Sequence, residues 1–318
     1  MRGQFARGVL CGFCLLTASC AADAPSQSVS EVPGLAPSPG EPRTQAWAAL
    51  VGELDTPIGG TSESSCHRGE PACLEAVIGE MDARLAERPC ANTAPFAFMY
   101  LEMTRGVLDD IDDFDDPRIV SLMDARFARL YFDAVDNWDA GRVDDVPAAW
   151  QIAFATAERG ESPAAVDLLL GMNAHISRDL AYVVETAFAD LGESPERIDD
   201  FERVNQVIGS VKSSMLERSA DRFDPLLLLL DLEVGVDEAP QPVELIGQWR
   251  TVAFELGRRL TQASSPEERA EVVAEIERQA AAGAGVVVAL EAGLNSPALS
   301  PTERDRYCEE HLAQPSSS

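Results

Sequence analysis

Several helix starts in the chain share one sequence signature. Ser-Pro pairs begin at Ser162, Ser194, Ser265 and Ser300, and a glutamate follows three residues after Ser265 and after Ser300. A serine side chain caps the free N–H groups of a first helical turn, and proline at the first helical position needs no N–H partner. The glutamate completes the capping box that is typical of helix N-termini. The signature therefore predicts that a helix begins at each of these prolines.

Apolar residues behind these starts recur at helical spacing. Trp249, Val252, Leu256 and Leu260 lie three or four residues apart, whereas a strand would alternate every second residue. The same spacing predicts helices over about 43–54, 72–88, 95–109, 117–138, 147–159 and 164–190. The stretch 284–290 is expected to be buried helix, because alanines surround it. No internal repeat is present, so we predict an all-α fold, an irregular multi-helix bundle in a single main domain over residues 43–318.

Acidic residues dominate the charge of the chain. It has 54 Asp and Glu against 25 Lys and Arg, which gives a formal net charge of -29 over 318 residues. A surface of this charge repels the phosphates of nucleic acids. We therefore expect no nucleic-acid partner.

Six aspartates lie within the short segment Asp109–Asp116. The composition is similar to that of a calcium loop, but the central glycine and the closing glutamate of a helix-loop-helix calcium site are missing. We expect a solvated acidic connection in which the Asp116 side chain caps the helix that begins at Pro117.

Residues 1–19 have the layout of a signal peptide. Arg2 and Arg7 give a basic start, an apolar run extends from Gly8 to Leu16, and small residues lead to Cys20. The apolar run is about half of the roughly 20 residues that a membrane span requires. The segment resembles the lipobox of bacterial lipoproteins, in which the cysteine is lipidated and becomes the mature N-terminus. The alternative is a plain secretory signal that is cut near Ala21 or Ala22.

Residues 20–42 are rich in Ser, Pro, Gly and Ala, which predicts a flexible tether behind the lipidated Cys20. The lipoprotein resemblance implies that the membrane is a partner, through the lipid on Cys20. It also implies a place in the bacterial cell envelope. Ala21 stands where an aspartate would resemble an inner-membrane retention signal, so we expect the outer membrane, facing the periplasm or the exterior.

Four cysteines lie beyond the tether, and an even number in an exported protein favours disulfides. Three pairings of Cys66, Cys73, Cys90 and Cys308 are open to the sequence. We expect Cys66 to pair with Cys73 across a short loop, and Cys90 with Cys308. A zinc site is the alternative, because His67 and His311 lie beside cysteines, but the spacing has no C-x2-C pair.

The segment Gly171–Leu180, with the sequence GMNAHISRDL, is the most distinctive run in the chain. Asp115-Asp116-Pro117 precede it, and Asp200–Asn205, with the sequence DFERVN, follow. Together these motifs resemble a bacterial family called domain of unknown function 5995, over about residues 95–260. The resemblance implies a helical domain and no established activity.

Within this run, His175 and Asp179 lie four residues apart and therefore share one face of a helix. We expect them to form a buried polar network with Asn173 and Asn205, because the helices that carry them are largely apolar. Alternatively, the pair is catalytic and lines a pocket with Asn173, Asn205, Asp124 and Tyr131. In that case Asp179 would orient His175 as an acid or base.

The His-x3-Asp spacing also resembles zinc-dependent phospholipases C, whose trinuclear site needs more histidines than the three of this chain. A single metal held by His175, Asp179 and other carboxylates is a further alternative. We assign no metal ligand and no cofactor.

Two functions from different classes follow. The first is a lipid-anchored envelope protein with a binding or structural role. The second is a hydrolase-like enzyme whose pocket is centred on His175 and Asp179.

The sequence has no G-x-S-x-G elbow, no phosphate-binding glycine loop and no H-E-x-x-H motif. These absences disfavour a serine hydrolase, a nucleotide enzyme and a metalloprotease.

Overall fold

The computed structural model describes residues 44–51, 54, 64–231, 242–293 and 301–312. All of them belong to one compact unit, Pro37–Ser318. The predicted signal peptide (1–19), Cys20 and the predicted tether (20–42) lie outside the described residues. None of the helices in the described part of the chain is long and apolar enough to span a membrane.

The described residues form helices and no strands, which confirms the predicted all-α fold. The α-helices are α1 (Gln45–Val51), α2 (Ser65–Arg68), α3 (Pro71–Glu87), α4 (Ala94–Asp109), α5 (Pro117–Asp139), α6 (Ala148–Arg159), α7 (Ala164–Asn173), α8 (Leu180–Leu191), α9 (Pro195–Arg222), α10 (Pro242–Gln262), α11 (Pro266–Gly293) and α12 (Pro301–Leu312). A π-helical segment, Ala174–Asp179, joins α7 to α8, and three short 3₁₀ turns lie at Ile111–Asp113, Val143–Asp145 and Pro225–Asp231.

Three of the predicted proline starts are confirmed, at Pro195, Pro266 and Pro301. The Ser194 hydroxyl accepts a hydrogen bond from the N–H of Arg197, as expected for a cap. The prediction for Ser162 is wrong, because α7 begins one residue later, at Ala164. The Ser162 hydroxyl instead donates to the carboxylate of Asp167, so it serves a side-chain contact rather than the backbone.

The predicted 164–190 helix is interrupted by the π-helical segment, which a regular apolar spacing does not reveal. The stretch 284–290 is helical, as predicted, and forms part of α11.

The residues that lead into α5 are held by a carboxylate from a distant helix. Asp116 stands at the predicted cap position, but its side chain makes no cap hydrogen bond, so that prediction is wrong. The buried carboxylate of Asp200, on α9, instead accepts from the backbone N–H of Asp115 at 2.8 Å and from that of Asp116 at 2.6 Å. This contact fixes α9 against the start of α5.

Two disulfides close the domain, with the pairing that the sequence analysis favours. Cys66 binds Cys73 with Cα atoms 4.8 Å apart, and Cys90 binds Cys308 with Cα atoms 5.7 Å apart. The zinc alternative at these cysteines is wrong, because all four sulfurs are used in disulfides. The second disulfide ties α12 to the segment between α3 and α4.

Among the described residues, the core has one large apolar cluster and two smaller ones. The large cluster is built mainly from α1 and α3 to α7, with α11 and the C-terminal Cys308 against it. A second cluster joins α8, α9, α10 and α11, and a third lies where α4 and α5 meet α9. The π-helical segment lies between the first two, and its His175 and Asp179 side chains face the interior.

Candidate functional site

The π-helical segment carries both His175 and Asp179. Such insertions into an α-helix are rare and are frequent at functional sites. Gly171, one turn earlier, allows α4 to approach, because a Cβ there would lie 2.5 Å from Cγ of Phe96. The Phe96 ring thus packs directly against the backbone that leads into the segment.

The carboxylate of Asp179 is completely buried and lies within hydrogen-bond distance of three donor side chains. Its Oδ2 atom accepts from Nε1 of Trp150 at 2.9 Å and lies 3.2 Å from Nδ1 of His175. Its Oδ1 atom accepts from the Arg178 guanidinium at 2.6 Å. Arg178 also donates to Glu277 on α11 at 2.8 Å. Asp179 thus links the π-helical segment to α6, and Arg178 links the same segment to α11.

The His175 imidazole lies in an aromatic cage. Phe127 stacks on it at 3.4 Å between ring centroids with an interplanar angle of 8°, and the Tyr100 ring lies 4.4 Å away. Burial lowers the pKa of His175, and the neighbouring Asp179 opposes that fall. The imidazole is therefore neutral near pH 7. In the tautomer whose Nδ1–H donates a hydrogen bond to Asp179, the Nε2 atom is an acceptor without a partner among the described residues.

Two enclosed polar atoms of this cage, Nε2 of His175 and the Tyr100 hydroxyl, have no hydrogen-bond partner among the described residues. Burial raises the pKa of Asp124 to about 7, and the nearby Thr104 hydroxyl opposes that rise. The pKa of Tyr100 is raised by burial and by the charges of Asp124 and Asp179. Unpartnered buried groups are uncommon in native proteins and call for an explanation.

The structure separates the two predicted asparagines from the His175–Asp179 pair. The Asn173 amide donates to the Ala280 carbonyl of α11 at 2.8 Å. Asn205 is half-buried and accepts from Nε of Arg250 at 2.7 Å, while burial lowers the pKa of Arg250 to about 10. The expected four-residue network is therefore wrong in its membership. Each asparagine instead joins its own helix to a helix later in the chain.

The other two candidate residues lie on separate cavities. Asp124 lines a small cavity of about 60 Å³, together with Phe127 and Arg250. Tyr131 lines a groove of about 300 Å³, and its ring centroid lies 6.1 Å from that of His175. Asp124 and Tyr131 therefore do not share one pocket.

Sequence reasoning missed the residues that complete the site. Trp150, Phe127 and Tyr100 come from three different helices, and only the tertiary structure brings them to His175. Arg178 had a usable signal, since it is adjacent to Asp179 in the sequence.

Within the described ranges, no group of three or more His, Cys, Asp or Glu residues is arranged to hold a metal ion. The Asp179 oxygens are, moreover, already occupied by protein donors.

The fold and the site define a disulfide-closed, all-helical domain built around a buried histidine-aspartate pair. Residues 74–290 match the family of unknown function DUF5995. The chain belongs to this family, as the resemblance in the GMNAHISRDL run indicates. The match begins earlier and ends later than the resemblance predicted from the sequence motifs. No curated protein and no solved structure matches the chain.

Proposed function

We propose that this protein is lipid-anchored in the bacterial envelope and that its helical domain has a binding or structural role rather than a catalytic one. The layout of residues 1–19 and Cys20 supports the anchor. The two disulfides support an exported domain, because disulfides persist in oxidising compartments.

The enclosure of the His175–Asp179 pair is the observation that carries the non-catalytic role. The exposed fraction is 2% for His175 and 0% for Asp179. Phe127 covers one face of the imidazole, and the carboxylate is held by three protein donors. A catalytic base must come within hydrogen-bond reach of its substrate. The pair instead acts as a polar clamp between helices.

A hydrolase-like activity is the second candidate, and one observation favours it. Nε2 of His175 is a free acceptor on an imidazole oriented by Asp179, which is the arrangement that a general base requires. The free Tyr100 hydroxyl lies beside the same ring. Use of this base would require the aromatic cage to open.

Replacement of Cys20 tests the anchor. The full chain and its Cys20→Ala variant are expressed in a bacterial host, and the membrane and soluble fractions are compared. We expect the wild type in the membrane fraction, labelled by a radioactive or clickable fatty acid, and the variant unlabelled and either soluble or unprocessed. Cys11→Ala, within the signal, is the matched control and keeps the wild-type distribution. Equal membrane partitioning and labelling of Cys20→Ala would refute the anchor.

A further inference from the structure

The groove beside Tyr131 is open to solvent, whereas the His175–Asp179 pair is enclosed. It lies between α3, the start of α4, α5 and α6, and encloses about 300 Å³. That volume is at the lower end of the range for small-molecule sites. Four aromatic side chains line it: Tyr131, Phe132, Trp138 and Phe154. The exposed residues Glu87, Arg88 and Glu158 lie at its rim.

The arginines of the groove already have carboxylate partners. Arg84 binds Glu80 at 2.7 Å and Asp136 at 2.7 Å, and it lies over the Phe132 ring. Arg88 binds Asp139 at 2.9 Å. The positive charge at the groove is therefore balanced by protein carboxylates.

Two carboxylates at the rim are not balanced. Neither Glu87 nor Glu158 has a cationic partner within 4.0 Å among the described residues. Glu158 accepts a hydrogen bond from Nε1 of Trp138 at 2.6 Å. A carboxylate acceptor draws the indole proton and makes the ring a better partner for a cation, and Trp already is the best aromatic side chain for this contact. The net charge of -29 also favours the approach of cations over anions.

We infer that this groove binds an organic cation with an aromatic or apolar body, the charge resting between Trp138 and Glu158 and the body on the aromatic floor. The inference deepens the binding role proposed above and rests on it. The ligand class follows from charge complementarity, because an organic cation would contact both the aromatic faces and the two rim carboxylates that lack a cationic partner among the described residues.

Calorimetric titration of the exported, processed protein tests the ligand class with three probes of similar size. Benzyltrimethylammonium is the cation, benzyl alcohol the neutral probe and benzoate the anion. We expect the cation to bind with a Kd about tenfold lower than either other probe. Tighter binding of benzoate would show that Arg88 selects the ligand, and equal binding of all three would show an apolar groove without charge selection. Each of these results overturns the inference, as does the absence of binding.

Variants locate the binding. Glu158→Gln removes an exposed charge without a change of shape, and we expect it to raise the Kd of the cation about fivefold. Trp138→Leu should raise it about tenfold or more, with folding checked by circular dichroism. Glu271→Gln is the matched control, because Glu271 is exposed on α11 and does not line the groove. Cation binding that survives Glu158→Gln and Trp138→Leu unchanged would contradict the site. The membrane fractionation of Cys20→Ala is independent of these titrations, so failure here leaves the anchor to its own test.

Discussion

Trp150 and Asp179 are joined by a buried hydrogen bond of 2.9 Å between the indole Nε1 and the carboxylate Oδ2. The two residues are 29 positions apart, on α6 and on the π-helical segment. A hydrogen bond to a buried carboxylate is stronger than one between neutral groups. This contact therefore fixes α6 against the segment that carries His175.

Trp150→Phe removes this donor and keeps an aromatic ring in the core. We expect the free energy of unfolding to fall by about 1 to 3 kcal/mol, because the buried carboxylate loses a partner. Trp47→Phe is a matched control, since Trp47 is equally buried but its Nε1 has no partner among the described residues. Urea denaturation compares the two. Equal losses would show that the Trp150 contact contributes only ring volume.

Asp124 makes the stability of the protein depend on pH. Burial raises the folded-state pKa of Asp124 to about 7, whereas an unfolded aspartate has a pKa of about 3.9. The native state therefore binds the proton more tightly, and this stabilisation is complete below about pH 4. It is lost as the pH rises towards about 7.

Asp124→Asn removes this titration. We expect the variant and the wild type to differ little near pH 4, and the variant to become more stable by about 2 to 4 kcal/mol at pH 8. The difference between the two curves is the readout, because the depressed pKa of His175 makes both proteins lose stability below about pH 6.5. Parallel curves from pH 4 to pH 8 would refute the role of Asp124.

The long disulfide should stabilise the fold more than the short one. Cys90 and Cys308 are 218 positions apart, and Cys66 and Cys73 only 7. A typical disulfide stabilises the folded protein by about 2 to 4 kcal/mol, and the stabilisation is larger when the closed loop is longer, because the unfolded chain is then more restricted. We expect Cys90→Ala with Cys308→Ala to lower the unfolding free energy more than Cys66→Ala with Cys73→Ala. Thiol labelling of the processed, denatured and unreduced protein should find no reactive cysteine, and four reactive cysteines would disprove both bonds.

Local chemistry in the sequence predicts much of the fold. The prolines at 195, 266 and 301 mark helix starts because the signal lies within one turn, and the short loop favours the Cys66–Cys73 pair. The proximity of His175 and Asp179 follows from their spacing alone, even though the segment is π-helical rather than α-helical.

Long-range chemistry is what the sequence does not reveal. The Asp116 side chain makes no cap hydrogen bond, and a carboxylate more than 80 residues away, that of Asp200, binds the N–H groups of the two residues just before α5. Asn205 pairs with Arg250, whose helix lies later in the chain. The spacing of residues along the sequence predicts neither Asp200 nor Arg250 as the partner, since many other polar residues would fit the same local pattern.

The central claim is that His175 and Asp179 form a buried clamp that stabilises the fold. A double-mutant cycle of His175→Ala and Asp179→Asn, followed by chemical unfolding with and without a chelator and with added zinc or manganese, tests it most directly. We predict that each single variant loses about 1 to 3 kcal/mol, that the double variant loses less than the sum, and that metal and chelator change none of these values. Singles that unfold with wild-type or higher stability, or losses that depend on metal, would contradict the clamp and favour a functional cleft at His175.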